Sequence, residues 1–432
     1  MRFNGFDEDW VSYKIGDISK TYSGGTPSTS KREYYNGNIP FIKSGEIGNE
    51  VTEQYINEEA INNSSAKKVQ KGDLLLALYG ATSGEVAISK IDGAINQAVL
   101  KIDNKMNNYF QYNYFVKYKD QIIHKYLQGG QGNLSANIIK KLEFYYPNLE
   151  EQQKISNYLL LIDNKIELLE KKHHEYQNFK KYLMQQIFAQ KLRFADDENW
   201  VTVTIANIFD NITDYVAAGS FADIRKNVTY LKDPDYAQLI RTADLKSNFT
   251  NGDFVYVDKH AFEYLWRVNL DEPCIVLPNI GNIGEVYYIN PKELPYSNNA
   301  LAPNAILLKS NDNIKFKYYL LESPYFKNQL DIINEAGGRG KFNKTNLKKI
   351  KIKVPNNDLE KEKIAKCLSN VDNKLKLFNI QLIEMQEFKK GLLQQMFVVR
   401  INWRCNFKLA KSPSFNKHLL ILKNKIIFII IK

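Results

Sequence analysis

Residues 146–170 read YPNLEEQQKISNYLLLIDNKIELLE, and residues 354–378 read VPNNDLEKEKIAKCLSNVDNKLKLF. At a fixed offset of 209 the two stretches share Ile155 with Ile364, Asp163 with Asp372, Asn164 with Asn373 and Lys165 with Lys374. The match runs on through Glu175 and Glu384, Phe179 and Phe388, Lys180 and Lys389, Leu183 and Leu392, and ends at Phe188 and Phe397. A repeat of this length sets the architecture before any single motif does. Two copies separated by a large segment predict a pseudo-symmetric molecule, suited to a target with an approximate two-fold of its own.

Both copies predict long helices with a heptad-like apolar stripe. The first register is Ile155, Leu159, Ile162, Ile166, Leu169, His173, Tyr176, Lys180, Leu183, Ile187; the second is Ile364, Leu368, Val371, Leu375, Phe378, Leu382, Met385, Lys389, Leu392, Met396. The steps alternate four and three, and only His173, Lys180 and Lys389 break the apolar pattern. A 3.5-residue period held over four heptads points to a coiled coil rather than a surface helix. Each helix carries a start signal just after a proline. Asn148 precedes Glu151 by three, and Asn357 precedes Glu360 by three, which is capping-box spacing.

The segments between the helices repeat more faintly. DEDWVSYKIGDI at 7–18 pairs with DENWVTVTIANI at 197–208. Phe41–Ile47 aligns with Leu239–Leu245, Gly84-Glu85-Val86 with Gly284-Glu285-Val286, and Gly129-Gly130-Gln131-Gly132 with Gly337-Gly338-Arg339-Gly340. The chain therefore reads domain, helix, domain, helix. The expected division is a globular domain at 1–149, a helix at 150–195, a second domain at 196–355, a second helix at 356–400 and a tail at 401–432. Both domains read as mixed α and β, with short strand-like runs such as KKVQKGDLLLALYG and EPCIVLP between glycine turns. A shared plan with divergent detail is what two different ligands on one scaffold would leave.

The chain has 432 residues, enough for two or three domains with real cores. Cys274, Cys367 and Cys405 lie far apart in sequence, which argues against a disulfide framework or a zinc site. The N-terminus lacks signal-peptide character, and no run reaches the roughly 18 to 20 apolar residues of a membrane span. A cytoplasmic protein is the expectation. The net charge is +11, but residues 400–432 hold eight lysines and arginines and no acid; without those eight, 51 basic residues face 48 acidic ones. Global basicity is thus mostly tail. The tail ends LLILKNKIIFIIIK, and its composition suggests an altered reading frame or a read-through end.

Local clustering says more. Between Gly337 and Val354 lie Arg339, Lys341, Lys344, Lys348, Lys349, Lys351 and Lys353 with no carboxylate. Such a stretch can neutralise phosphates and give salt-dependent affinity. The plainer reading, a strand with Ile350, Ile352 and Val354 inward and lysines outward, is compatible with it. The glycine-rich turns at 80–84, 129–132, 281–284 and 337–340 allow positive φ and close ligand approach. Gln131, Asn133, Arg339 and Lys341 beside them include residue types that make bidentate base contacts. Lys43 and Arg241 occupy matched places after a strand. Tyr79, Thr82, Lys140, Lys141, Asn279 and Asn282 complete the candidate nucleic-acid-facing set.

No catalytic residue is predicted. His124, His173, His174, His260 and His418 lack metal-ligand spacing, and P-loop, GxGxxG, HExxH, GxSxG and Asn-Pro-Pro-aromatic motifs are absent. A two-fold repeated chain without such motifs reads as a binder.

The layout, with SGGTPS (23–28), GDLLLALYGATSGEVAISK (72–90), INQAVL (95–100) and the paired FKKYLMQQIF and FKKGLLQQMF, resembles the specificity subunit of Type I restriction-modification systems over residues 1 to about 399. The second domain departs from that pattern with PNIGNIG (278–284), and the tail matches nothing in it. The resemblance implies two target recognition domains, each reading half of a split double-stranded DNA sequence, on two antiparallel spacer helices. Two methyltransferase subunits and two motor-nuclease subunits would join, bringing S-adenosylmethionine, ATP and Mg; this chain would bind no cofactor and perform no chemistry. Ile155 to Ile187 spans roughly 48 Å at about 1.5 Å per residue, or roughly 14 base pairs between domain centres. That predicts half-sites of roughly three to five base pairs about five to eight apart, and a four-residue insertion after Leu169 should widen the gap. A silent or truncated gene product, or a coiled-coil scaffold that does not bind DNA, are the competing readings.

Overall fold

A computed structural model describes residues 2–127, 133–195, 199–281, 283–337 and 341–397. The tail at 401–432, and with it the reading-frame expectation, lies outside the described residues, as do Gln131, Asn282 and Arg339. The two long helices run Leu149–Phe188 and Asp358–Met396, each shorter than the expected 150–195 and 356–400. Two compact units divide the chain: one takes it up to Lys165 and again from Met385, the other takes Ile166–Glu384. The division falls inside both long helices, so each unit holds one globular domain, part of the first helix and part of the second.

In the first unit an antiparallel sheet is ordered Ser19–Ser23, Val99–Asn104, Leu74–Ala77, Val86–Ile88. Leu74, Leu75, Leu76 and Ala77 are all buried, which explains a continuous apolar run in place of alternation. A second sheet is ordered Tyr55–Ile56, Ile39–Ile42, Gly93–Ile95, Lys67–Val69, with its central pair parallel. In this unit the helix Asn108–Leu127 follows the sheets, and a ladder joins Val11–Lys14 to Glu143–Tyr146.

The second unit repeats this plan. Its four-stranded sheet is ordered Asn211–Asp214, Ala305–Lys309, Cys274–Pro278, Tyr287–Ile289. Its other sheet keeps three strands, Tyr256–Val257, Ala237–Ile240 and Asn299–Leu301, with the same parallel pair. Where the first domain adds Lys67–Val69, the described residues of the second have only a bridge from Asn269 to Ala300. Trp200–Thr204 pairs with Lys351–Pro355 as the equivalent ladder. Ile350, Ile352 and Val354 are buried and Lys351 and Lys353 exposed, as the alternation predicts.

The apolar stripe is withdrawn from water. Ile155, Leu159, Ile162, Leu169, Leu183, Ile187, Ile364, Leu368, Val371 and Leu392 are buried, and Ile166, Leu375 and Leu382 half-buried. In the second unit Tyr176 meets Phe378 at 5.2 Å between ring centroids, and Lys180 meets Asp372 at 2.8 Å. Four residues forward on one helix are thus six back on the other, which makes the pair antiparallel. The stripe is more than a helix–helix seam, however. Leu183, Ile187, Ile364, Leu368 and Val371 share one core with Phe316, Leu320 and Phe326 of the globular domain. Two helices alone cannot cover a stripe this wide, so the domain supplies the third side.

The end of each long helix is a domain anchor. Phe188 packs against Trp200 and Phe316. Its equivalent Phe397 is fully buried against Trp10, Phe110 and Tyr114 of the first domain. The Lys117 amine and the Tyr118 hydroxyl both donate to the Phe397 carbonyl, at 2.5 and 3.0 Å, satisfying a helix-end acceptor.

The helix starts depart from expectation. Asn148 accepts the Glu151 amide at 2.9 Å, as a cap should, and Asn357 accepts from Leu359 rather than from Glu360. Neither glutamate completes a capping box. Glu151, fully buried, takes two hydrogen bonds from Arg2 at 2.9 and 2.8 Å. Glu360 takes two from Arg193 at 2.8 and 2.9 Å and one from the Phe194 amide. A buried carboxylate gains more from a two-pronged guanidinium than from one backbone amide. The signal was present as Arg2-Phe3 and Arg193-Phe194, a matched dipeptide ahead of each domain.

Candidate nucleic-acid interface

In each domain the turn after a central buried strand lies against the loop that opens a short helix. In the first domain the Leu134 amide donates to the Leu78 carbonyl at 2.9 Å. In the second the Phe342 amide donates to the Asn279 carbonyl at 3.1 Å, the Asn279 side chain returns a bond to the Phe342 carbonyl, and Ile280 bridges to Lys341. Leu134 and Phe342 are buried plugs at equivalent places. Ser135 then caps Ala136–Lys140 by accepting the Ile138 amide, and Asn343 caps Lys344–Lys349 by accepting from Asn346.

The turns need glycine. Gly80 and Gly84 have φ of 86° and 83°, and Gly281 and Gly284 have 87° and 89°. Only glycine takes this left-handed region freely. A side chain at Gly84 would also meet the Ile123 side chain at 2.9 Å.

These junctions gather most of the candidates. Tyr79 and Thr82 lie in the first domain's turn, with the Tyr79 hydroxyl donating to the Gln97 carbonyl. Asn133, Lys140 and Lys141 are exposed on the adjoining loop and helix, whose inward residue is Ile139. In the second domain Asn279 sits in the turn, and Lys341, Lys348 and Lys349 are exposed beside it with Leu347 inward. Lys344 is half-buried and paired with Asp214 at 2.9 Å, which leaves it less charge to offer. The following strand continues the basic edge with Lys351 and Lys353 in the second domain, where the first has Glu143 and Tyr145. The two edges share a frame and differ in charge.

Lys43 and Arg241 belong to the other sheet of their domains and are held there. Lys43 faces Glu53 at 3.7 Å, and the buried Glu46 accepts the amides of Lys43 and Glu53. Arg241 is bound by the buried Asp244 at 2.8 Å and faces Asp253 at 3.8 Å. The repeat thus extends to a basic residue, a buried acid three positions on and an exposed acid across the loop.

Among the described residues no group of three or more His, Cys, Asp or Glu is placed to hold a metal ion, and no helix is long and apolar enough to cross a membrane. Burial pushes the Cys274 thiol up to about 12 and raises that of Cys367.

Comparison with known proteins shows the family and the fold. The family model described as the Type I restriction modification DNA specificity domain matches twice, at residues 7–177 and 197–385. The chain is similar to the Type I restriction enzyme MjaIX specificity subunit of Methanocaldococcus jannaschii, with 31% identity over 44% of this chain and 46% of that relative. It is similar to the MjaVIII specificity subunit of the same organism over nearly its whole length, with 22% identity across 91% of this chain and 93% of the relative. Its fold is similar to the crystal structure of a Type I restriction-modification S subunit from M. genitalium, with TM-score 0.60, 16% identity, and coverage of 91% of this chain and 97% of that one.

Proposed function

The chain belongs to the Type I restriction modification DNA specificity family, and from that premise we propose that its two domains read the two halves of a split double-stranded DNA target. The observation that carries this reading is the turn–loop junction found twice on one backbone frame with different side chains. Leu78-Tyr79-Gly80-Ala81 stands in one turn and Asn279-Ile280-Gly281 in the other. A constant frame positions; variable donors and acceptors specify.

In this reading the lysines of 341–353 contact phosphates, and the turn side chains meet base edges. The long helices space the half-sites. The chain supplies specificity and no chemistry. Two methyltransferase subunits dock on it with S-adenosylmethionine, two restriction subunits add ATP- and Mg-dependent translocation and cleavage, and the assembly works in the cytoplasm. Residues aimed at bases belong to the junctions, and Lys43 and Arg241 act as struts that shape their own loops.

The test is methylome sequencing of a methylation-free host that expresses this chain with its methyltransferase subunit. A split N6-methyladenine motif is expected. Its absence, with the methyltransferase shown active beside another specificity chain, would overturn the reading.

A further inference from the structure

Two seam positions carry lysine where the heptad calls for an apolar residue, and both lysines are spoken for. Lys389 binds Asp163 of the first helix at 2.6 Å. Its repeat equivalent Lys180 binds Asp372 of the second helix at 2.8 Å and Glu322 of the globular domain at 3.0 Å. Asp163 and Asp372 are themselves repeat equivalents. Each aspartate also accepts a hydroxyl from the domain helix beside it. Tyr109, on Asn108–Leu127, donates to Asp163, and Tyr319, on Ile314–Glu322, donates to Asp372 at 2.7 Å. Tyrosine faces complete the surround: Tyr112 lies 5.7 Å from the Lys389 nitrogen and Tyr319 lies 5.4 Å from that of Lys180. The lysine side chains are only 14% and 18% exposed.

Each cluster therefore ties three elements through one lysine, with one ion pair at Lys389 and two at Lys180: the first long helix, the second, and a helix of the globular domain. A largely buried ion pair contributes little net stability over a well-packed apolar substitute. What it adds is geometry, because donor, carboxylate and ammonium meet in only one attitude of the domain helix on the helix pair. It also disfavours a wrong pairing. Aligned in parallel and in register, the helices would set Lys180 against Lys389 and Asp163 against Asp372. Burial works to lower the Lys180 pKa, but Glu322 and Asp372 outweigh it and hold it above its ordinary value, so this lysine is charged at neutral pH.

We propose that Tyr109–Asp163–Lys389 and Tyr319–Asp372–Lys180 are positioning joints that fix the attitude of each recognition domain on the spacer, and so set the gap between half-sites rather than their bases. This inference rests on the reading of the chain as a split-target DNA reader.

The test uses the full chain with its methyltransferase subunit and a library of targets whose gap varies one base pair at a time. The joint-free variant combines Tyr109→Phe, Asp163→Leu and Lys389→Met, removing every polar member at once. It is expected to keep its melting temperature and half-site bases. Its preference for the native gap over the neighbouring gaps should fall by about tenfold, the scale of a hydrogen bond to a charged group. The charge exchange Asp163→Lys with Lys389→Asp should retain the native gap preference. Should the triple variant fold poorly, Tyr109→Phe alone removes one hydrogen bond and should relax the gap preference about threefold. Unchanged gap preference in the triple variant, or in Tyr109→Phe if the triple does not fold, overturns the proposal. A wild-type chain without any split motif overturns the DNA reading instead. Hydrogen exchange, which needs no DNA, then decides the joint: faster exchange around 108–112 and 160–165 in Tyr109→Phe, at unchanged melting temperature, supports it, and unchanged exchange overturns it.

Discussion

At Glu360 hydrogen-bonding partners overcome burial, whereas at Lys117 burial prevails. Glu360 is buried, and burial would raise its pKa, but Arg193 and the Phe194 amide outweigh this and hold the carboxyl below its ordinary value. A depressed carboxylate stabilises the fold fully above the unfolded value of about 4.5. That contribution is lost as pH falls through the lower folded value. Arg193→Met should cost about 3–5 kcal/mol in urea unfolding at pH 7, because it strands a buried charge, and should weaken the acid-dependent loss. Lys117 runs the other way. Burial lowers it to about 8, so between pH 8 and its ordinary value near 10.5 the unfolded chain binds the extra proton and stability rises with pH. Lys117→Met should be more stable than wild type at pH 7 and show a smaller rise between pH 8 and 10, both measurable by thermal melts. The repeated Arg-Phe dipeptide marks Arg193 in the sequence, but which residue either group meets was not legible there. Arg193 and Glu360 are 167 residues apart, and the amine that meets the Phe397 carbonyl comes from 280 residues away.

At the scale of elements, pattern and structure agree where a periodicity meets a single environment. The alternation continues from Ile350 into the half-buried strand Lys351–Pro355, and the run 74–77 becomes a strand buried on both faces. The short helix Lys344–Lys349 shows the limit. Its lysines look equivalent in sequence, yet Lys344 is paired with Asp214, and Lys348 and Lys349 project outward. Lys348→Ala and Lys349→Ala should each weaken DNA binding uniformly across sequences and reduce the slope of log K against log salt by about 1. Lys344→Ala should change the slope less. Fluorescence anisotropy of the methyltransferase complex at several salt concentrations checks this, and a larger effect from Lys344 would contradict it. The heptads likewise identified the stripe but not its full partner, since five stripe residues complete a globular core.

For the whole molecule, the ruler depends on how the helices pair. A four-residue insertion after Leu169 alone would move Lys180 relative to Asp163 on one helix only and oppose the antiparallel register. Matched insertions after Leu169 and its equivalent Phe378 add about 6 Å to both helices, so the methylated motif should gain roughly two base pairs of gap with unchanged half-sites. An unchanged gap in a folded double-insertion variant would refute the ruler. The repeat at offset 209, the heptad stripe and the glycine turns determined two domains, two long helices and the family, because each is a local regularity that survives in one dimension. The tertiary structure decided which surfaces those regularities serve. It paired Lys43 with Glu53 and Arg241 with Asp244, turned the cap glutamates into arginine pairs, and gave the two lysines that break the heptad an aspartate each from the opposite helix. Periodicity records which side of an element is apolar, whereas charge pairing depends on which distant segment folding brings within hydrogen-bond reach.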